Sequence, residues 1–418
     1  VQKLLVKGNK QLRGEVNVSG SKNAALPILA ATILLPGRST IRNVPNLLDV
    51  TTIIRVLRAL GIRAEYSQSK PNTVDVWNTQ VRHVAPYELV TKMRASFFVI
   101  GPILAVKGLA KIPLPGGCAI GSRPVDIHIK GMQALGAQVE LEHGFVIARA
   151  NKLKGARVYL DFPSVGATES IMMAAALAEG ETVIENAARE PEVADLANFL
   201  IKAGARIAGA GSELIRITGV TQLSPVEYSI IPDRIETGTL MTAAAITRGK
   251  LRINRVVPEQ VEATIRKFQE SGIKVEVFDD YLVVSGEEGY RAVDVKTMPY
   301  PGFPTDMQPQ VSALLCLAKG TSVISETIFE NRFMHMQELR RLGADIKMEG
   351  QSAIITGVPK LSGAPVKVSD LRAGAALLLA GLAAEGETFI EDREHHLGRG
   401  YENILDKLNA VGADLSRA

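Results

Sequence analysis

The cations of this 418-residue chain recur in one setting, immediately beside apolar helical runs. Ser21-Lys22-Asn23, Lys92-Met93-Arg94, Ser164-Val165-Gly166, Asp233-Arg234, Thr305-Asp306 and Asp370-Leu371-Arg372 each precede such a run. A helix start presents unpaired N–H groups and the positive end of the dipole, and both favour anions. Ser164, Asp306 and Asp370 suit that position as N-caps and need no ligand. Lys22, Arg94, Arg234 and Arg372 do not, because a cation there opposes the dipole; this group points to an anionic ligand. A second series, Arg42, Arg123, Arg189, Arg255, Arg332 and Arg399, stands ahead of amphipathic stretches, and for most of it an ion pair with a neighbouring unit is expected. Together the two sets predict a small, highly charged substrate bearing phosphate or carboxylate, groups that arginine pairs bidentately.

One thiol has a setting suited to chemistry. Residues 114–123 read LPGGCAIGSR, a glycine-rich insert that puts Cys118 on an exposed segment with Arg123 near enough to stabilise a thiolate. Cys316, inside VSALLCLA, reads as core packing. Two cysteines exclude a disulfide framework, and neither CxxC nor zinc-type spacing occurs. His83, His335, His395 and His396 lack metal-ligand spacing, so structural or surface roles are expected and no metal site is predicted. The absence of GxxxxGK[ST] and of a post-strand GxGxxG removes the common nucleotide-loop readings.

The elements that must position these residues form a repeat. Small residues followed by glycine recur at Gly61, Gly136, Gly204, Gly272, Gly343 and Gly412, spaced about seventy residues apart. Each glycine closes an amphipathic stretch, such as 47–60 or 191–203, where a left-handed C-cap is needed; the others open at Pro124, Pro258, Asn331 and Gly400. An alanine-rich run without a polar face precedes each: 24–35, 95–106, 170–178, 238–247, 311–318 and 373–384. Such helices belong inside a domain. Behind them come GRSTIRN, GLAKIPL, GETVIEN, GKLRINR, GTSVISE and GETFIED, read as strands. One unit is therefore buried helix, strand, surface helix, strand, further strand, and six of them make an α/β fold.

Composition sets the frame. With 46% hydrophobic and 22% charged residues the chain is globular, and a net charge of +4 is too small to argue for nucleic acid. Prolines and glycines interrupt every apolar run before it could span a membrane. Residues 1–7 lack the apolar core of a signal peptide, so a reducing, cytoplasmic setting is expected.

The residues assembled in this way resemble the UDP-N-acetylglucosamine 1-carboxyvinyltransferase family, bacterial enolpyruvyl transferases that open peptidoglycan synthesis and so serve cell-wall formation. The likeness runs through SGSKNAALPILAA (19–31), KMRASFFVIGP (92–102), PGGCAIGSRPVDIH (115–128), SVGATE (164–169), ENAAREPEV (185–193), PDRIETGT (232–239), FPTDMQ (303–308), ENRFMH (330–335) and DLRAGA (370–375). It implies an inside-out α/β barrel fold in two similar domains of three repeated units, 22–230 and 1–21 plus 231–418, with the active site in the cleft between them. The implied reaction moves the enolpyruvyl group of phosphoenolpyruvate to the 3-hydroxyl of UDP-N-acetylglucosamine.

By motif, Lys22, Arg123 and Arg399 would hold phosphoenolpyruvate, and Asn23, Arg94, Arg332 and Arg372 would complete the polar site. Cys118 would be the general acid, and the target of the epoxide antibiotic fosfomycin. Asp306 would accept the sugar hydroxyl proton, with Asp370 assisting. The UDP-sugar would lie along Arg94, Arg123, Pro124, Val125, Asp126, Ile127, Phe162, Pro163, Ser164, Val165, Gly166, Asp306 and Ile328. No metal, organic cofactor, nucleic acid, membrane or obligatory protein partner is implied.

Two departures bear on this transfer. Gly398 stands where the family commonly has an aspartate, which bears on how Arg399 is oriented. Phe162 stands where some members have a lysine, which bears on contact to the nucleotide phosphate. A 5-enolpyruvylshikimate-3-phosphate synthase-like transferase would lack the Gly-Gly-Cys loop, whereas a non-catalytic UDP-sugar-binding regulatory paralogue would release no phosphate.

Overall fold

The computed structural model describes residues 2–115 and 125–417. The alanine-rich runs form helices Lys22–Ala31, Ile100–Lys107, Val165–Ala175, Arg234–Ile246, Gln308–Leu315 and Leu371–Ala383. Lacking a polar stripe to offer water, they are buried nearly all round; Lys22–Ala31 leaves only Asn23 partly exposed. Most begin a few residues before the apolar pattern does. The reason is that polar first-turn side chains are buried too: Lys22, Thr168, Glu169, Glu236, Gln308 and Arg372 all lie inside. The second run is split, with a 3-10 stretch Arg94–Val99 leading into Ile100–Lys107.

The amphipathic stretches form helices Leu48–Ala59, Asp126–Ala134, Pro191–Lys202, Glu262–Glu270 and His335–Arg341, while the sixth breaks into His396–Gly400 and Ile404–Ala410. All six glycines behind them adopt positive φ, from 90° at Gly272 to 108° at Gly204, a region where a β-carbon is disfavoured. This is the left-handed cap that the spacing predicted.

The strand after each buried helix organises a small sheet. It pairs antiparallel with one neighbour and parallel with an edge segment: Glu181–Glu185, for example, lies between Leu214–Thr218 and Arg157–Tyr159. The chain divides into two compact units, residues 20–115 with 125–231, and residues 2–19 with 232–417. In the first, Glu227–Ser229 supplies the parallel edge to Gly37–Arg42. In the second, Arg13–Asn17 supplies it to Lys250–Asn254, and Gln2–Lys7 takes the antiparallel place beside Glu387–Asp392. The opening segment thus completes two sheets of the later unit. Each unit has its own hydrophobic core, dominated by alanine, leucine, isoleucine and valine.

Candidate active site

In the unit of 232–417, three of the expected residues meet. Asp306 does not cap a helix, contrary to the expectation from Thr305-Asp306: it sits within the 3-10 turn Thr305–Met307, and the next helix has Met307 at its N-cap position. Its carboxylate is drawn instead to two guanidiniums. Arg372 donates to Oδ2 through Nε at 3.2 Å and Nη2 at 2.9 Å, and Arg332 reaches Oδ1 through Nη1 at 2.9 Å. Both arginine side chains are almost fully buried, 3% and 2% exposed for Arg332 and Arg372, against 26% for Asp306.

Two buried cations therefore share one carboxylate, and among the described residues Arg332 Nε and Arg372 Nη1 find no hydrogen-bond partner. Burial alone would pull the Arg372 guanidinium down, yet the Asp306 charge outweighs it and holds the group above its ordinary range. Such a cluster has positive charge and donor capacity to spare, which suits an incoming anion.

Residues to which sequence reasoning assigned no part in the chemistry support this cluster. Glu326, 1% exposed, accepts from Thr305 Oγ1 at 3.0 Å, Thr297 Oγ1 at 2.8 Å and the Ile328 N–H at 2.8 Å. It thereby ties the Ile328 loop to the Asp306 turn, and Thr305 Oγ1 also accepts from Arg332 at 3.3 Å. The ring of Tyr401 lies 5.4 Å from the Arg372 guanidinium, and its hydroxyl joins Thr239 and Gln310 in the core. His335 is pushed down to about 4 by burial, with Asp370 opposing and Arg332 assisting, so it is neutral at physiological pH. No local pattern flags a buried glutamate at a strand end or a lone histidine beside an arginine.

Asp370 is the cap it was expected to be, accepting from the N–H groups of Arg372 at 2.9 Å and Ala373 at 3.1 Å. Arg399 is half-buried on helix His396–Gly400, with Gly398 exposed beside it. Arg234 lies 5.7 Å from the ring of Tyr300.

In the unit of 20–231, Lys22 occupies the first turn of a helix capped by Ser21, which accepts from Ala24 N–H at 3.2 Å. Its ammonium bonds Asp49 at 3.2 Å, both side chains being nearly buried. The cation that capping could not explain thus has a carboxylate within the fold, as Arg372 does; Asn23 lies half-buried next to it.

A second cluster forms where several helix starts converge. Ser164 caps Val165–Ala175 through the Ala167 N–H at 3.3 Å, as predicted. A β-carbon on Gly166 would lie 3.1 Å from both His128 Nε2 and Phe98 Cε1. His128, on helix Asp126–Ala134, stacks edge-on against Phe97, and burial with help from the Arg94 charge lowers it to about 3. Arg94, Ile127, Pro163, Ser164, Val165 and Gly166 are half-buried around this junction; Asp126 and Phe162 are exposed, and Val125 is buried. Deeper in helix Val165–Ala175, Glu169 is fully buried with neither carboxyl oxygen partnered among the described residues, and burial with the charges of Glu192 and Glu190 raises it well above the carboxylate range.

Cys118, Arg123 and Pro124 lie outside the described residues. Cys316 is core as expected, with its thiol pushed up to about 12 by burial. Of the arginines ahead of surface helices, Arg42 pairs with Glu227 of the parallel edge strand. Among the described residues no cluster of histidine, cysteine and acids could hold a metal ion, and no helix is long and apolar enough to cross a membrane.

The EPSP synthase (3-phosphoshikimate 1-carboxyvinyltransferase) family model matches residues 6–408. A UDP-N-acetylglucosamine 1-carboxyvinyltransferase from Geobacter metallireducens is 55% identical over 418 residues, covering 100% of this chain and 99% of that protein. One from Gloeobacter violaceus is 56% identical over 415 residues, 99% of this chain and 90% of its own length. Among solved structures, the enolpyruvyl transferase NikO from Streptomyces tendae superimposes with a TM-score of 0.89 at 26% identity, covering 100% of this chain and 99% of that one. An EPSP synthase from Acinetobacter baumannii shares the fold over the whole length of both chains, with a TM-score of 0.76 at 18% identity. With a family model spanning nearly the whole chain and full-length relatives above half identity, this chain belongs to the carboxyvinyltransferase family of EPSP synthase fold, as a close relative of the UDP-N-acetylglucosamine 1-carboxyvinyltransferases.

Proposed function

We propose that the chain transfers the enolpyruvyl group of phosphoenolpyruvate to the 3-hydroxyl of UDP-N-acetylglucosamine and releases inorganic phosphate. The observation that carries this is the pair of buried guanidiniums, Arg332 and Arg372, gathered on one partly exposed carboxylate with N–H groups left over. Phosphoenolpyruvate brings a phosphate and a carboxylate, and an anion arriving at this cluster competes with Asp306 for its arginines. As the arginines turn to the substrate, the Asp306 carboxylate is released to accept the proton of the sugar hydroxyl as that oxygen attacks the enol carbon. Cys118 is assigned the matching proton donation to the methylene carbon. Protonation turns that methylene into a methyl group, so restoring the vinyl bond of the product requires one methyl proton to leave as the C–O bond to phosphate breaks.

Lys22 and Arg399, with Asn23 and Arg123, are assigned to the same donor substrate, and Asp370 to support of Asp306 through its hold on the Arg372 turn. The start of helix Val165–Ala175 is assigned to the diphosphate, whose charge suits a helix N-terminus. Arg94, residues 123–127, Phe162, Pro163 and Ile328 complete the UDP-sugar site, and the corresponding domains are 22–230 and 1–21 plus 231–418. Both substrates are cytoplasmic metabolites, which is the compartment this reading assigns, and the reaction calls on no metal or organic cofactor. The test is acceptor identity. Purified chain and phosphoenolpyruvate are incubated in parallel with UDP-N-acetylglucosamine or shikimate 3-phosphate, and products are read by mass spectrometry. Enolpyruvyl addition to the UDP-sugar is expected; addition to shikimate 3-phosphate alone would overturn the assignment.

A further inference from the structure

The turn that carries Arg399 begins without an ordinary cap. Helix His396–Gly400 is entered through His395 at φ 54°, and the His395 side chain does not cap it. Its start is held from outside by Asp392, the last residue of strand Glu387–Asp392, whose side chain is wholly buried. One carboxylate oxygen accepts from the His396 N–H at 2.8 Å and lies 3.1 Å from His396 Nδ1; the other accepts from the Leu397 N–H at 3.0 Å. Burial would push this carboxyl up, yet the His396 and Leu397 donors outweigh it and hold the group below its ordinary range. Asp392 is therefore a buried anion at neutral pH.

The far end of the turn is fixed as well. The Tyr401 N–H donates to Leu397 O at 3.0 Å, and the buried Tyr401 hydroxyl accepts from Gln310 Nε2 at 3.1 Å. Gly398 contributes no side chain beside Arg399, and the backbone of this short turn sets the point from which the guanidinium extends. That backbone is referenced, through Asp392, to a strand paired with Gln2–Lys7.

We infer that Asp392 is a positioning residue for Arg399: its carboxylate fixes the turn from which that guanidinium is presented to the anionic substrate. Asp392 acts on the reaction only through Arg399, so this rests on the reading of Arg399 as a phosphoenolpyruvate ligand. Misplacement of a substrate clamp by about 1 Å can cost on the order of a hundredfold, which sets the scale of the effect.

The experiment compares steady-state kinetics of Asp392→Ala, Asp392→Asn, Arg399→Ala and the Asp392→Ala/Arg399→Ala double variant, each checked by thermal unfolding. Asp392→Ala should raise KM for phosphoenolpyruvate about ten- to a hundredfold while KM for UDP-N-acetylglucosamine stays within about twofold. Asparagine keeps one acceptor, so Asp392→Asn should fall between wild type and alanine. The double variant should be no worse than Arg399→Ala alone, because both changes remove one function. Proportional changes in both KM values, or a lowered melting temperature with both KM values intact, would reduce Asp392 to a structural role and overturn the inference. If Arg399→Ala leaves KM for phosphoenolpyruvate unchanged, the reading of Arg399 fails and this falls with it. If Arg399→Ala raises it while the Asp392 variants do not, only the positioning role falls. Should Asp392→Ala not fold, Asp392→Asn carries the same comparison.

Discussion

Replacing Asp306 by asparagine separates a cap from the counter-ion of two buried arginines. Asparagine caps helices about as well as aspartate, so a capping Asp306 would tolerate the change with little loss of stability. The structure leads elsewhere. Asp306→Asn leaves Arg332 and Arg372, 3% and 2% exposed, facing a neutral amide that can accept at only one of its two terminal atoms. Breaking a fully buried ion pair costs about 3–5 kcal/mol. Because the Asp306 side chain is 26% exposed, solvent screening reduces that to about 2–3 kcal/mol.

For a unit of this size, each kcal/mol lowers the melting temperature by about 2–4 °C, so a drop of roughly 4–12 °C is expected. The sign of the anion effect is the sharper test. With the competing carboxylate gone, phosphate or phosphoenolpyruvate should bind the two arginines more readily in the variant. At a hundred times its Kd a ligand contributes about 2.7 kcal/mol, enough to restore the loss. The assay is urea unfolding of both proteins with and without phosphate, alongside turnover, which should fall by about two to four orders of magnitude if the carboxylate is the base. An unchanged unfolding midpoint, or equal stabilisation of both proteins by phosphate, would mean that Asp306 is not the counter-ion of these two arginines.

Gly166→Ala places a β-carbon 3.1 Å from His128 and Phe98, so it should cost about 1–3 kcal/mol and raise KM for the UDP-sugar more than for phosphoenolpyruvate, measured by unfolding and kinetics. Burial raises the Glu236 carboxyl from 4.5 to about 7 against the pull of Lys407. The folded state therefore binds this proton more tightly, and the associated stabilisation is complete below about pH 4.5 and lost as pH rises through 7; urea midpoints across that window should flatten in Glu236→Gln. Cys118→Ala should lose nearly all turnover, while Cys118→Asp keeps a measurable share and resists fosfomycin; peptide mass spectrometry of the treated wild type should find the adduct on Cys118 and none on Cys316.

The repeat and its elements were legible because their signals are local. A glycine at positive φ ends each surface helix, and an all-apolar run has nowhere to go but inside. Helix starts were read too late because Lys22, Glu169 and Arg372 are polar residues that the fold buries, and burial is set by tertiary neighbours. Asp306 and Asp370 show the limit most clearly. Both precede an apolar helix in sequence, yet Asp370 caps while Asp306 turns to arginines, one of them 66 residues away. Lys22 likewise finds Asp49 across 27 residues. Pairings of that separation are made by tertiary packing within each compact unit, and no spacing rule within the chain reveals them. The resemblance to a family supplied the residue assignments that such patterns could not.

Transfer of an enolpyruvyl group frees one inorganic phosphate per turnover, and release of that phosphate by the purified chain is the quantity to measure. Release should be continuous when phosphoenolpyruvate and UDP-N-acetylglucosamine are both present, equal in amount to the enolpyruvyl UDP-sugar formed, and absent when either is omitted. Binding of the UDP-sugar without phosphate release, or release from phosphoenolpyruvate that ignores the UDP-sugar, would contradict it.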